Sequence, residues 1–179
     1  MSNDTLDQPF QTKGNIDIKS NGIKFGIIGG LASVIVSLIL FFVDMQMESW
    51  AKWISTLVMI GIIILGIKSV ADDNQNRLIS FGTLFKAGMI MAVIIAIISV
   101  VYFLIYINFI ETNFIEKVLN ESRQQMTEKG LGEEQIEQAL EMSKSFMSPG
   151  IMVAFSLIGS LFFGAIASLI GAAIFKKER

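Results

Sequence analysis

The side chains with most chemical potential in this 179-residue chain are carboxylates and hydroxyls. Glu133, Glu134, Glu137 and Glu141 are close in sequence, and Glu133, Glu137 and Glu141 fall four apart, on one face of a helix. Such a row offers hard oxygen ligands to a divalent cation. Cation-binding loops, however, alternate Asp or Asn around a glycine-turned bend. That alternation is missing, so a solvated acidic face is the simpler reading. The hydroxyls belong to a second pattern, Ser156, Ser160, Gly164, Ser168 and Ala172 at every fourth position. Gly22, Gly26 and Gly30, with Gly29, Ser33 and Ser37, form a comparable stripe, as do Gly88, Ala92 and Ala96. A stripe of this kind can line a conducting path or a homodimer seam. More often small residues let apolar helices approach closely within one bundle.

What is missing narrows the chemistry further. The chain has no cysteine and no histidine. Thiolate nucleophiles, disulfides and thiolate-held metal clusters are therefore excluded. The usual general base and the commonest metal ligand are absent as well. The remaining Ser, Glu and Lys residues form no recognisable catalytic constellation. The expectation is a protein that is not an enzyme, with no catalytic residues, no cofactor and no metal site. A net charge of −2 gives no reason to expect a nucleic-acid partner.

The elements that hold these residues follow from how the apolar residues are distributed. Hydrophobic residues make up 53% of the chain and charged residues 17%, against about 25% charged in soluble domains. The excess lies in long uncharged blocks separated by short polar ones, which is the pattern of a membrane protein. Four spans are expected, at about 23–43, 50–67, 87–107 and 151–175. Each is long enough for a hydrocarbon layer of about 30 Å. The second, with Lys52 at its edge, is the weakest. No ionisable side chain lies deep in any apolar core, which argues against a proton-coupled carrier or an intramembrane protease. Residues 77–88 (RLISFGTLFKAG) read as an amphipathic interfacial segment ahead of the third span. On a helical wheel Leu78, Phe81, Leu84 and Phe85 share one side and Ser80, Thr83 and Lys86 the other, with Ile79 the exception.

The polar residues 1–22 read as a disordered cytoplasmic lead and the first span as an uncleaved anchor. Lys and Arg set the orientation. Lys13, Lys19, Lys24, Lys68, Arg77, Lys86, Lys176, Lys177 and Arg179 fall on the side of the termini, and Lys52, Lys117, Arg123, Lys129 and Lys144 on the other. The bias predicts cytoplasmic termini, with residues 176–179 a basic cytoplasmic end, in a multi-pass protein of the cell membrane. Trp50, Trp53, Tyr102, Tyr106 and Phe109 would then belt the outer boundary.

Residues 111–150 are the one large polar region, with eight Glu against four basic residues. Phe114, Ile115, Val118, Leu119 and Met126 recur at helical spacing, and so do Ile136, Leu140 and Met147. Glu128-Lys129-Gly130-Leu131-Gly132 supplies a stop between them, and Ser148-Pro149-Gly150 restarts the chain as the fourth span. The prediction is an extracytoplasmic, antiparallel, amphipathic helical hairpin. Its apolar stripes have three uses open to them: packing on each other, lying on lipid, or meeting a partner.

The strings ISFGTLFKAG (79–88) and GLGEEQIEQALEMSKSFMSPG (130–150), with the four-span spacing, resemble a bacterial family of small four-span membrane proteins classed as a domain of unknown function. The resemblance covers nearly everything after residue 22. It implies an all-α polytopic architecture and a membrane location, and it supplies no activity, cofactor or catalytic residue. The functional expectation is an accessory or interaction protein presenting the acidic hairpin. Its partners would be the lipid bilayer, an extracytoplasmic protein bound through residues 113–147, and further copies of itself. The alternative is a small oligomeric channel or exporter on the serine–glycine face of the fourth span.

Overall fold

Apolar blocks free of proline and of internal charge favour long helices, because in lipid every backbone N–H and C=O must be satisfied within the segment. A computed structural model describes residues 18–45, 48, 50–73 and 78–177, without the side chain of Lys52. Among these residues the chain forms helices α1 (Ile18–Phe42), α2 (Ala51–Asp72), α3 (Phe81–Ile105), α4 (Phe114–Glu128), α5 (Glu133–Phe146) and α6 (Pro149–Phe175). A single π-helical turn, Tyr106–Ile110, extends α3. Helices α1, α2, α3 and α6 are long and apolar enough to cross a membrane, and α4 and α5 form the hairpin between the last two. The all-α, four-span architecture with its inserted hairpin is therefore present.

Helix α1 and helix α6 each pack against both α2 and α3, which also touch one another. The shared core runs through Ile63, Ile67 and Val70 of α2, Leu84, Met91 and Ile95 of α3, and Ala167 and Ala172 of α6. Glycines set the spacing. On α1, a Cβ added to Gly22, Gly26 or Gly30 would strike Ile90, Ile94 or Ile98, so three isoleucines of α3 seat over three glycines. On α6, Gly164 faces Ala92 and Ser168 faces Gly88 in the same way. At these positions the small-residue stripes thus serve packing inside the bundle.

The helices outrun the apolar blocks that announce them. Helix α1 begins at Ile18, five residues before the expected span, so part of the polar lead is helical; residues 1–17 lie outside the described residues. Gly22 already packs on Ile90 there, and Asn21 Nδ2 donates to Asp73 Oδ2 at 3.4 Å. Helix α2 continues past Lys68 to Asp72, because Val70 and Ala71 still face the core. Hydrophobicity marks the part of a helix that lipid solvates, whereas helix ends are set by capping and packing.

The segment before α3 departs most from expectation. Arg77 lies outside the described residues, Ser80 is extended at the helix start, and α3 begins at Phe81. The Ser80 hydroxyl accepts from Thr83 N–H at 3.3 Å and so caps the helix. Alternation replaces the helical wheel here: Leu78 is 67% exposed while Ile79 is fully buried. Ile79 also pairs in antiparallel fashion with Lys177, exchanging backbone hydrogen bonds of 3.1 and 3.0 Å. Leu84 is buried in the bundle and Phe81 stacks on Phe85 at 6.1 Å. The segment is therefore not one helix throughout: residues 78–80 are extended and clasped to the chain beyond α6, and the capped α3 starts at Phe81.

Candidate functional site

Two regions hold the residues that sequence reading singles out: the hairpin, and the end of the bundle beneath it.

The hairpin is built by local signals. Glu111 accepts an ion pair from Lys117 at 2.6 Å as α4 begins, and that hydrogen bond raises the Lys117 ammonium above its ordinary value. Helix α4 stops at Gly130, whose φ of 76° is the left-handed conformation glycine adopts without strain. Leu131 N–H then bonds Met126 O at 3.2 Å and Gly130 N–H bonds Thr127 O at 2.9 Å, the paired bonds of a Schellman stop. Gly132 N–H donates to Gln135 Oε1 at 3.3 Å as α5 starts, with Glu133 and Glu134 in its first turn. Ser148 precedes Pro149 at the first position of α6.

The two helices close on each other through Ile136 and Leu140, both buried. Across that seam Arg123 of α4 donates to Glu133 at 2.8 Å and to Glu137 at 2.5 Å. The guanidinium hydrogen bond holds the Glu137 carboxyl below its ordinary value. Two of the four candidate cation ligands are thus taken by an arginine. Glu134 and Glu141 face solvent, and the described residues contain no group of three or more acidic side chains placed to hold a metal ion. Arg123 is the residue that sequence reading missed. It precedes its partners by 10 and 14 residues, and only the antiparallel turn brings them together.

Where the hairpin leaves α3, aromatic rings form a joint. Tyr106 packs edge-on to Phe41 of α1 and to Phe114 of α4, each at 5.7 Å, and Phe103 also meets Phe114 at 6.1 Å. Of the expected aromatic belt, Tyr102 and Tyr106 lie together and Trp53 pairs with Phe163 on α6, while Trp50 and Phe109 are exposed.

Below this joint the bundle opens. A chamber of about 320 Å³, open on one side, lies among all four spans, lined by Ser33, Ser55, Thr56, Ser99, Ser156 and Ser160 together with Met59, Ile95, Phe155 and Phe163. Ser33 Oγ is buried without a hydrogen-bond partner, and Ser160 Oγ reaches the Met59 sulfur at 3.6 Å. A thioether is a weak acceptor. Phe155 and Ser156 also line a second space of about 500 Å³ under the hairpin, walled by Phe103, Phe146, Met147 and Met152. Ser33, Ser156 and Ser160 belong to stripes visible in the sequence. Ser55 and Thr56, adjacent in α2, and Ser99 in α3 belong to no small-residue stripe and gave no signal.

Four apolar spanning helices with a polar hairpin define a multi-pass α-helical membrane protein. Residues 24–177 match the family described as "Protein of unknown function (DUF4199)", and the chain belongs to that family. No curated protein and no solved structure matches it.

Proposed function

We propose that this is a non-catalytic accessory protein of the cell membrane that presents the α4–α5 hairpin to a protein partner outside the cytoplasm, with both termini cytoplasmic. The observation that carries the reading is the hairpin's self-sufficiency. It closes its own seam on Ile136 and Leu140 and locks it with Arg123. Glu134, Glu141 and the 65% exposed Met142 all remain open to solvent. Basic and apolar side chains on a partner would complement that surface.

A photo-crosslinking residue at Met142 in native membranes should trap one protein, and the adduct should vanish when Glu134→Lys and Glu141→Lys are combined. Adducts to lipid alone, or an unchanged set of interactions after removal of residues 113–147, would sink the proposal. Protease access to tags at the two termini tests the orientation separately.

The chamber favours one further reading, a small channel or exporter. Gly164, Ser168 and Ala172 are buried within the bundle. A conducting path along α6 would therefore run through the hydroxyl-lined space and not along a seam between subunits. Flux in liposomes that Ser160→Leu blocks is the expected sign, and a folded sample passing no ion or small solute would end that reading.

A further inference from the structure

We infer that the chamber and the cleft beneath the hairpin together form one binding site for an uncharged amphiphile, a molecule with a hydroxyl-bearing head and a single apolar chain. The head sits among the hydroxyls and the chain lies in the cleft.

Three observations carry this. First, hydroxyl-bearing residues from all four spans, Ser33, Ser55, Thr56, Ser99, Ser156 and Ser160, converge on one space. Among them Ser160 Oγ has only a weak sulfur acceptor. A head group carrying both donors and acceptors satisfies such a set. Second, no Asp, Glu, Lys or Arg lines either space. An ionised head would be buried without a counter-charge, which is strongly unfavourable, so the site selects neutral molecules. Third, the chamber shares Phe155 and Ser156 with an adjoining cleft of about 500 Å³ walled by Phe103, Phe146 and Met152. Water alone would fill the chamber but gains nothing in that apolar cleft; an alkyl chain does. Spaces of about 300–1,000 Å³ are the usual size for ligands of this bulk.

The test uses the full chain in phosphatidylcholine nanodiscs with a monoacylglycerol carrying a diazirine on its acyl chain. Labelling should saturate and map to Phe103, Met152 and Phe155. Unlabelled monooleoylglycerol should compete, and oleate, whose head is a carboxylate, should not. Combining Ser156→Ala with Ser160→Ala should weaken the competition constant about tenfold, the effect of losing two neutral hydrogen bonds. Gly159→Leu should abolish saturable labelling by filling the chamber, because a Cβ there meets nothing within 4 Å. Tryptophan fluorescence melting of each variant establishes that it is folded, and the serine variants decide the question if Gly159→Leu does not fold. Non-saturable labelling spread over lipid-facing residues such as Phe162 would overturn the inference. Equal competition by oleate, or serine variants that bind as tightly as the parent, would do the same.

Discussion

The two ends of this four-helix bundle are built from the same kinds of residue and behave in opposite ways. At the end nearest the termini, Gly22, Gly88, Gly164 and Gly171 each face a side chain so closely that an added Cβ would collide. At the hairpin end, Gly159 faces open space and the neighbouring serines line a chamber. Helix α6 carries one continuous ladder of small residues through both. The difference lies in what faces it. Where α3 offers Gly88 and Ala92, the backbones meet; where it offers Ile95 and Ser99, they stand apart. A small-residue stripe therefore permits close packing, and the opposing helix decides whether it happens.

The largest test of that contrast is Gly88→Leu. Its Cβ would fall 2.8 Å from the Ile67 Cδ1 atom and crowd Ser168, so α3 must move away from both α2 and α6. A loss of about 3 kcal/mol or more is expected in thermal or detergent unfolding, at the upper end of overpacking costs. A near-native melt would show that the closed end is looser than its geometry implies. Ile79→Ala should cost about 2–3 kcal/mol, because a fully buried side chain is truncated beside the clasp with Lys177. Leu78→Ala, one residue away and exposed, is the matched control and should change little. In the hairpin, Leu140→Ala should remove about 2 kcal/mol of local stability. Hydrogen exchange should then quicken in α4 and α5 while the spans keep their protection, and a uniform loss would mean the two parts unfold as one. Gly159→Leu should change the unfolding free energy by no more than about 0.5 kcal/mol, since it enters empty space.

The smallest expected effect is electrostatic. Glu137 titrates below its ordinary range when folded, because Arg123 hydrogen-bonds its charged form. Its contribution to hairpin stability is therefore fully present at neutral pH and fades only as acid takes the pH through that lowered value. Arg123→Gln should return the carboxyl towards its ordinary titration range, as followed by NMR. An unmoved titration curve would show that the ion pair is not formed in solution.

Much of this architecture is legible in the sequence because lipid imposes a simple pattern. The four apolar blocks and the amphipathic stripes of α4 and α5 locate every helix, and Gly130 and Ser148-Pro149 locate two of the turns. The ends were harder. Ile18 and Asp72 lie outside the apolar blocks, yet their helices continue through packing at Gly22 and Val70. The segment at 78–80 misled a helical wheel because its residues alternate instead of turning. Ile79, the residue that did not fit the wheel, proved to be the buried one. The chamber was legible only in part. Serines 33, 156 and 160 sit in visible stripes, but Ser55, Thr56 and Ser99 join them through the relative rotation of three helices, a quantity that no single-helix periodicity contains.

The backbone pairing of Ile79 with Lys177 also constrains how the protein is made. Ile79 leaves the ribosome about a hundred residues ahead of the strand-like partner that shelters it. At about 5–20 residues per second, the start of α3 must wait roughly 5–20 s before its clasp can close. During that interval α1 can already meet α3 through Gly22, Gly26 and Gly30 and α2 through Gly29, whereas the end of α2 at Ala71, whose carbonyl accepts from Lys177 Nζ at 3.4 Å, lacks that bond. The contact that fastens the termini-facing end therefore cannot close before the chain beyond α6 has been made.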